Sequence, residues 1–161
     1  MRVFSGIFAV LLLTLALPVV ASAPIIVLNP FTASVIMAGP DNCPFDIALV
    51  PQQGRPNNGK LIVFADGSTI GHGATFVTAT NVATSKSINL NISGPGQFSV
   101  TDNTLTGFGP GLVYNLPPNV LPPNLPPVSF GHGRTVVQFG NLGIVSVTFT
   151  GTAENLCELL Q

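Results

Sequence analysis

An all-β domain is what the sequence predicts: about eight to ten short antiparallel strands, closed into one barrel or, as second choice, packed as a sandwich, with a short helical turn at the C-terminus. Three observations carry this. Residues 60–100 alternate apolar side chains with Thr, Ser and Asn, and glycine-containing turn signals cut them into short pieces. Only 7% of residues are charged while Gly (17) and Pro (15) are plentiful, which suits strands and turns rather than salt-bridged helices. The two cysteines stand at opposite ends of the patterned region, so a bond between them would bring first and last elements together.

The length of 161 residues fits one domain with a real core. Residues 1–21 read as a secretory leader: Arg2 gives a minimal positive end, 7–16 is an apolar run broken by Thr14, and small residues follow. Ala21-Ser22-Ala23 offers one cut, but Pro24 would follow it; Val19-Val20-Ala21 with cleavage before Ser22 is preferred. A retained anchor is the competing reading, yet the run is short of the roughly 20 residues a spanning helix needs. Once the leader and Arg2 are removed, four basic residues (Arg55, Lys60, Lys86, Arg134) face six acidic ones, a formal net charge of −2. Those bases are isolated, which argues against a nucleic-acid partner because phosphate backbones need a concentrated positive field.

Residues 22–42 form an N-terminal segment with two apolar clusters, Ile25 to Leu28 and Val35 to Met37, readable as a terminal strand or a mobile arm; Pro30 and Pro40 bar a continuous helix. The β domain proper spans 43–161. Cys43 and Cys157, an even pair without CxxC spacing in an exported chain, read as a disulfide whose closure is worth about 4 to 5 kcal/mol in chain entropy. Phe45, Ile47 and Leu49 alternate with Asp46 and Ala48 in a first strand. Residues 51–59 are a polar loop with a hairpin signal at Asn58-Gly59, and Asp66-Gly67 is a second such signal after the central strand at 61–64.

Gly71-His72-Gly73 marks a bulge or bend within 69–80. The cleanest period of two comes next, with Ile88, Leu90 and Ile92 on one face and Ser87, Asn89, Asn91 and Ser93 on the other. Gly94-Pro95-Gly96 turns the chain, and 105–108 is a further strand. Residues 110–127 hold three near-repeats, Asn115-Leu116-Pro117-Pro118, Asn119-Val120-Leu121-Pro122-Pro123 and Asn124-Leu125-Pro126-Pro127, which fix a turn-rich loop rather than a strand. Strands return at 134–139 and 144–152, where Val145, Val147 and Phe149 are expected to face inward, and Leu156, Leu159 and Leu160 close the chain at helical spacing.

Taken together, CPFDIALVP (43–51), GKLIVFADGSTI (59–70), TNVATSKSINLNISGPG (80–96), the Pro/Gly loop, GRTVVQF (133–139) and TGTAENLCELL (150–160) resemble small secreted β-rich proteins common in actinobacteria that carry no assigned function. The resemblance covers about residues 43–160 and implies export, a disulfide and one β domain. It brings no catalytic residues.

Chemistry is thin. His72 and His132 each sit in a Gly-His-Gly triplet, but a zinc site needs three or four ligands and nothing nearby completes a set, so glycine bends carrying an exposed histidine are the simpler reading. There is no Gly-x-Ser-x-Gly elbow and no phosphate loop before a helix, and Asp66 and Asp102 occupy turn positions that favour aspartate for backbone reasons. No catalytic residue, metal or cofactor is therefore expected, and an unidentified secreted enzyme is the last of three readings. Sugar binding usually recruits Trp or several Tyr faces, whereas Trp is absent and Tyr114 stands alone.

Two binding readings lead. In one, the domain is a secreted or envelope-associated interaction module that meets a surface component or protein through Tyr114, Leu116, Val120, Leu121, Leu125 and Val128. In the other, a calycin-like barrel carries a small apolar ligand and loop 110–127 is its lid. The plainest alternative for the loop is that its leucines cover the core.

Overall fold

The structure, a computed structural model, describes residues 22–28, 31–39 and 42–161. The leader expected over 1–21, and the anchor that competes with it, lie outside the described residues, as do positions 30 and 40. Among the described residues, no helix is long and apolar enough to cross a membrane.

Among the described residues eleven strands and a C-terminal α-helical turn are met in order, with a short 3-10 turn at Pro118–Val120 between β9 and β10: β1 (Ile25–Leu28), β2 (Ser34–Ile36), β3 (Ile47–Pro51), β4 (Lys60–Val63), β5 (Thr69–His72), β6 (Phe76–Asn81), β7 (Ser87–Asn91), β8 (Gly96–Ser99), β9 (Thr104–Val113), β10 (Ser129–Gly140), β11 (Gly143–Asn155) and α1 (Leu156–Leu159). They build two antiparallel sheets. Seven strands run in the order β1-β4-β5-β8-β9-β10-β11, and four in the order β2-β3-β6-β7.

The expected closed barrel is not found among the described residues; two open sheets are compatible with the sandwich alternative. The reason lies in the connections. After β3, β5 and β7 the chain leaves one sheet for the other, so these consecutive strands do not pair with each other as hairpins. Asn58-Gly59 is accordingly no hairpin. Asn57 and Asn58 each accept a 2.7 Å hydrogen bond from the backbone beyond β5, at Phe76 N–H and Ala74 N–H, which fixes the crossover. Gly73 makes the β5–β6 corner with φ +108°, and a Cβ there would press on the Asn58 carbonyl. Asp66-Gly67 does close the β4–β5 hairpin, with Asp66 Oδ1 accepting Ser68 N–H at 2.9 Å.

Alternation decides which face is buried. Register sets Leu49 opposite Ala79, Ala79 opposite Ile88 and Val77 opposite Leu90, so the four-stranded sheet turns one apolar face inward. Its other face carries Thr78, Thr80, Ser87 and Asn89, cross-linked by Thr78–Asn89 and Thr80–Ser87 hydrogen bonds of 2.8 and 2.9 Å. Ile36, Ile47, Leu49, Val77, Ala79 and Leu90 form the first core with Leu156 and Leu160 of the C-terminal turn. A second core, Val137, Val147 and Phe149, lies under Leu116 and Leu125 of the proline-rich loop.

Val145 departs from expectation: it is 57% exposed. Pairing shifts from Gln138–Ser146 to Phe139–Ile144, leaving Val145 as the extra residue of a β-bulge that turns it outward.

The C-terminal turn is held by a side chain that sequence reasoning passed over. Asn81 is buried, donates Nδ2–H to the Leu160 carbonyl at 3.0 Å, and accepts at Oδ1 from Ala83 N–H (2.9 Å) and Thr84 N–H (3.2 Å). Cys43 and Cys157 are joined with a Cα–Cα distance of 5.3 Å, and Asn155 caps α1 by accepting Cys157 N–H at 3.0 Å. Substituting Asn81→Ala strands these buried groups, and urea unfolding should show a loss of about 2–4 kcal/mol; a loss within error of zero would mean that the turn is not held through this amide.

Candidate functional site: a glycine-lined cleft

A cleft of about 420 Å3 opens where the two sheets meet, within the size range of small-molecule sites. Its walls come from β8, β9 and β10, with Leu49 of β3, Phe31, and Ile92 just past β7. Seven of its lining residues are glycines: Gly94, Gly96, Gly107, Gly109, Gly111, Gly131 and Gly133. On the β9–β10 ladder three successive alternate positions pair as Gly107–Thr135, Gly109–Gly133 and Gly111–Gly131, so five of six places hold no side chain. The ends of this strip are Leu105 paired with Val137, and Val113 paired with Ser129.

These glycines have different physical reasons. A Cβ at Gly94 would overlap the Phe108 and Pro110 carbonyl oxygens, and one at Gly133 would overlap the Thr150 carbonyl oxygen. Gly131 gives room to Phe149, whose ring edge would lie 3.2 Å from an added Cβ, and Gly109 has φ +74°. Gly107 and Gly111 have no such reason. Their φ values are ordinary, and a Cβ would meet nothing within 4 Å. Glycine inside a strand is normally a loss because it packs nothing and costs entropy; at these two positions what it does is leave the cleft open.

Sequence-predicted contacts divide. Leu116 (7% exposed), Leu125 (3%) and Val128 (1%) are buried in the cores, and Val120 and Leu121 are half-buried against the second one. The loop's leucines therefore cover the core. Strand β9 also continues through Pro110 to Val113, so the loop begins at Tyr114, four residues later than expected. Asn115 there adopts φ +57° and accepts a 3.0 Å hydrogen bond from Asn42 Nδ2, and Asn124 donates to the Phe149 carbonyl at 3.5 Å, so two of the three repeat asparagines tie the loop down. Tyr114 and Leu116 serve a second purpose as part of the cleft wall.

His72 and His132 are exposed on β5 and β10, which are not neighbours in the sheet. His132 packs edge-on against Phe130 with ring centroids 4.7 Å apart. Among the described residues, no group of three or more His, Cys, Asp or Glu is placed to hold a metal ion. The flanking Gly131 and Gly133 line the cleft, which gives the second Gly-His-Gly triplet a role the histidine itself does not need. A period of two in glycine, at 107, 109 and 111 and again at 131 and 133, is the sequence signal that marks the cleft.

The residues of β10 that line the cleft are Gly131, Gly133, Thr135 and Val137, so Arg134, between them in sequence, projects from the opposite face of the strand. Arg134 is the sole Lys, Arg, Asp or Glu on β8, β9 and β10; it pairs in register with Phe108, and its guanidinium carbon lies 5.8 Å from that ring's centroid. Phe108 lines the cleft and is 44% exposed.

Comparison with protein-family models, with curated proteins and with solved structures finds no match to this chain.

The two kinds of glycine should separate in thermal unfolding. Gly133→Ala should lower the midpoint sharply, because the added carbon meets backbone on the facing strand. Gly111→Ala should be neutral or stabilise by up to about 1 kcal/mol. Equal effects at both positions would contradict the assignment of Gly111 to open space.

Proposed function

We propose that this chain is an exported, non-enzymatic binding protein that takes a small apolar ligand in the cleft between its two sheets, with the first turn of the proline-rich loop as one wall. The observation that carries the reading is the pair Gly107 and Gly111, where neither backbone angle nor packing asks for glycine and an added side chain would enter the open cleft. Lining side chains such as Phe31, Leu49, Ile92, Leu105, Val137 and Phe149 are hydrocarbon, and ladder hydrogen bonds already occupy most of the backbone polar groups of β9 and β10. Recognition then rests on shape and burial rather than on a constellation of donors.

Export is part of the proposal. It is supported by the Cys43–Cys157 disulfide, which persists in oxidising compartments, and by the leader-like pattern of residues 1–21. The sandwich alternative suits the site better than the calycin-like barrel, because the cleft lies at a seam between sheets. The reading in which loop 110–127 offers an exposed apolar contact is less favoured, since Leu116, Leu125 and Val128 are buried.

Anilinonaphthalene sulfonate fluorescence under native conditions tests the proposal. The wild-type protein should bind the dye saturably, and Gly107→Leu, whose Cβ meets nothing within 4 Å, should weaken binding by about tenfold or more while thermal stability holds or rises. Absence of saturable binding by the wild-type protein, or equal binding by a stably folded Gly107→Leu variant, would refute it.

A further inference from the structure

Strands β8, β5, β4 and β1 lead away from the cleft as one wing of the seven-stranded sheet. Register sorts the apolar side chains of its outer part onto both faces. Ile26, Ile62 and Ile70 make a row on one face, while Val27 with Leu61 and Ile25 with Val63 make rows on the other. Among the described residues, none of β1, β4 or β5 belongs to either buried core. The outermost strand is the barest, with Ile25, Ile26, Val27 and Leu28 exposed to 67, 59, 41 and 64%. Hydrocarbon gains by leaving water, and β1 leaves that gain unused on both faces at once.

The other sheet edges are blunted. Strand β11 sets Ser146, Thr148, Thr150, Thr152 and Glu154 in exposed positions and carries the Val145 bulge; β7 exposes Ser87, Asn89 and Asn91; β2 is three residues long and buries Ile36. Within β1 there is no charge and no proline, and the nearest charge in its ladder is Lys60, one strand inward and opposite Leu28. Among the described residues β1 pairs with β4 alone, so alternate N–H and C=O groups on its other side point away from the sheet.

A helix or a flat surface laid on the wing would meet one face. Covering both faces and the open hydrogen-bonding edge together takes another β-strand. We infer that two copies of this chain dimerise by antiparallel pairing of β1 with β1, joining their seven-stranded sheets into one. The arrangement is self-complementary: a two-fold axis normal to the sheet brings Ile26 and Leu28 against their own counterparts on one face, and Ile25 and Val27 against theirs on the other. The row of Ile26, Ile62 and Ile70 then continues across the seam. Each copy has one such edge, so association closes at two copies. A four-residue ladder buries on the order of 1,000 Å2 in total, at the small end for specific interfaces, which makes the dimer a weak one with a Kd of about 1–100 μM. Because β1 contributes no residue to the cleft, dimerisation and ligand binding stand or fall separately.

Sedimentation velocity of the purified protein between about 1 and 500 μM tests this, and the wild-type chain should pass from monomer to dimer across that range. Ile26→Lys and Val27→Lys, which place a charge on opposite faces of an exposed strand, should each weaken the dimer by about tenfold or more. Their thermal midpoints at low concentration should match that of the wild-type monomer. Amide hydrogen exchange reports the mode of pairing: alternate N–H groups within Ile25–Leu28 should exchange about tenfold or more slowly at the high concentration. A monomer throughout the range, a dimer that both lysine variants leave intact, or a dimer without added protection in β1 would overturn the inference.

Discussion

The C-terminal turn is gripped from two sides, and the spacing of the two sheets depends on that grip. Asn81, at the end of β6, holds the Leu160 carbonyl, while Cys43, just ahead of β3, holds Cys157 covalently. The turn thereby seats Leu156 and Leu160 inside the core of the four-stranded sheet, and because it continues directly from β11 it fastens that sheet to the seven-stranded one. A buried amide is costly unless satisfied, and here both ends of Asn81 are used, so the turn has little freedom to settle elsewhere. The disulfide adds to this by removing unfolded conformations from a loop that encloses nearly the whole domain.

With the sheets held apart at this seam, side chains decide how much of the space is filled. In the first core Ile, Val and Leu fill it, while the second core is closed by the proline-rich loop and not by the other sheet. Along the middle of β9 and β10 five of six paired positions supply nothing, and the cleft is what remains. The proline-rich loop contributes indirectly. Its paired prolines restrict the backbone, so Leu116 and Leu125 stay seated on Val137, Val147 and Phe149 at little further entropy cost, and Tyr114 and Leu116 are fixed as a wall.

How much of this was legible in the sequence depends on how local each determinant is. The face of β7 was readable because a period of two over Ser87–Asn91 is a property of one strand, and the Asp66-Gly67 hairpin because its chemistry lies within five residues. The pairing of Cys43 with Cys157 could be read from there being two cysteines in the chain. What depended on a partner strand was misread. Val145 points outward because of a register shift against Gln138 and Phe139, and Asn58-Gly59 joins two sheets because Asn57 and Asn58 bond to a segment 19 and 16 residues on. Barrel and sandwich share their strand signals and differ in which edges meet, a non-local matter. The cleft was hidden for the same reason: a lone glycine can be a bend, a close approach or a gap, and only the facing strand distinguishes Gly133, crowded by Thr150, from Gly111, which faces nothing.

The central claim is that the glycine strip of β9 and β10 is the binding surface for a small apolar ligand. Proton–nitrogen correlation spectra of the protein, recorded while anilinonaphthalene sulfonate is added, address it most directly, since backbone amides report contact residue by residue and glycines resonate apart from most others. The account predicts progressive, saturable shifts at Gly107, Gly109, Gly111 and Gly131, with the exposed Gly54 and Gly143, outside the cleft, unmoved. Shifts confined to the exposed apolar residues of β1, Ile25 to Leu28, with the glycine strip silent, would place the dye on the open sheet edge and contradict the account.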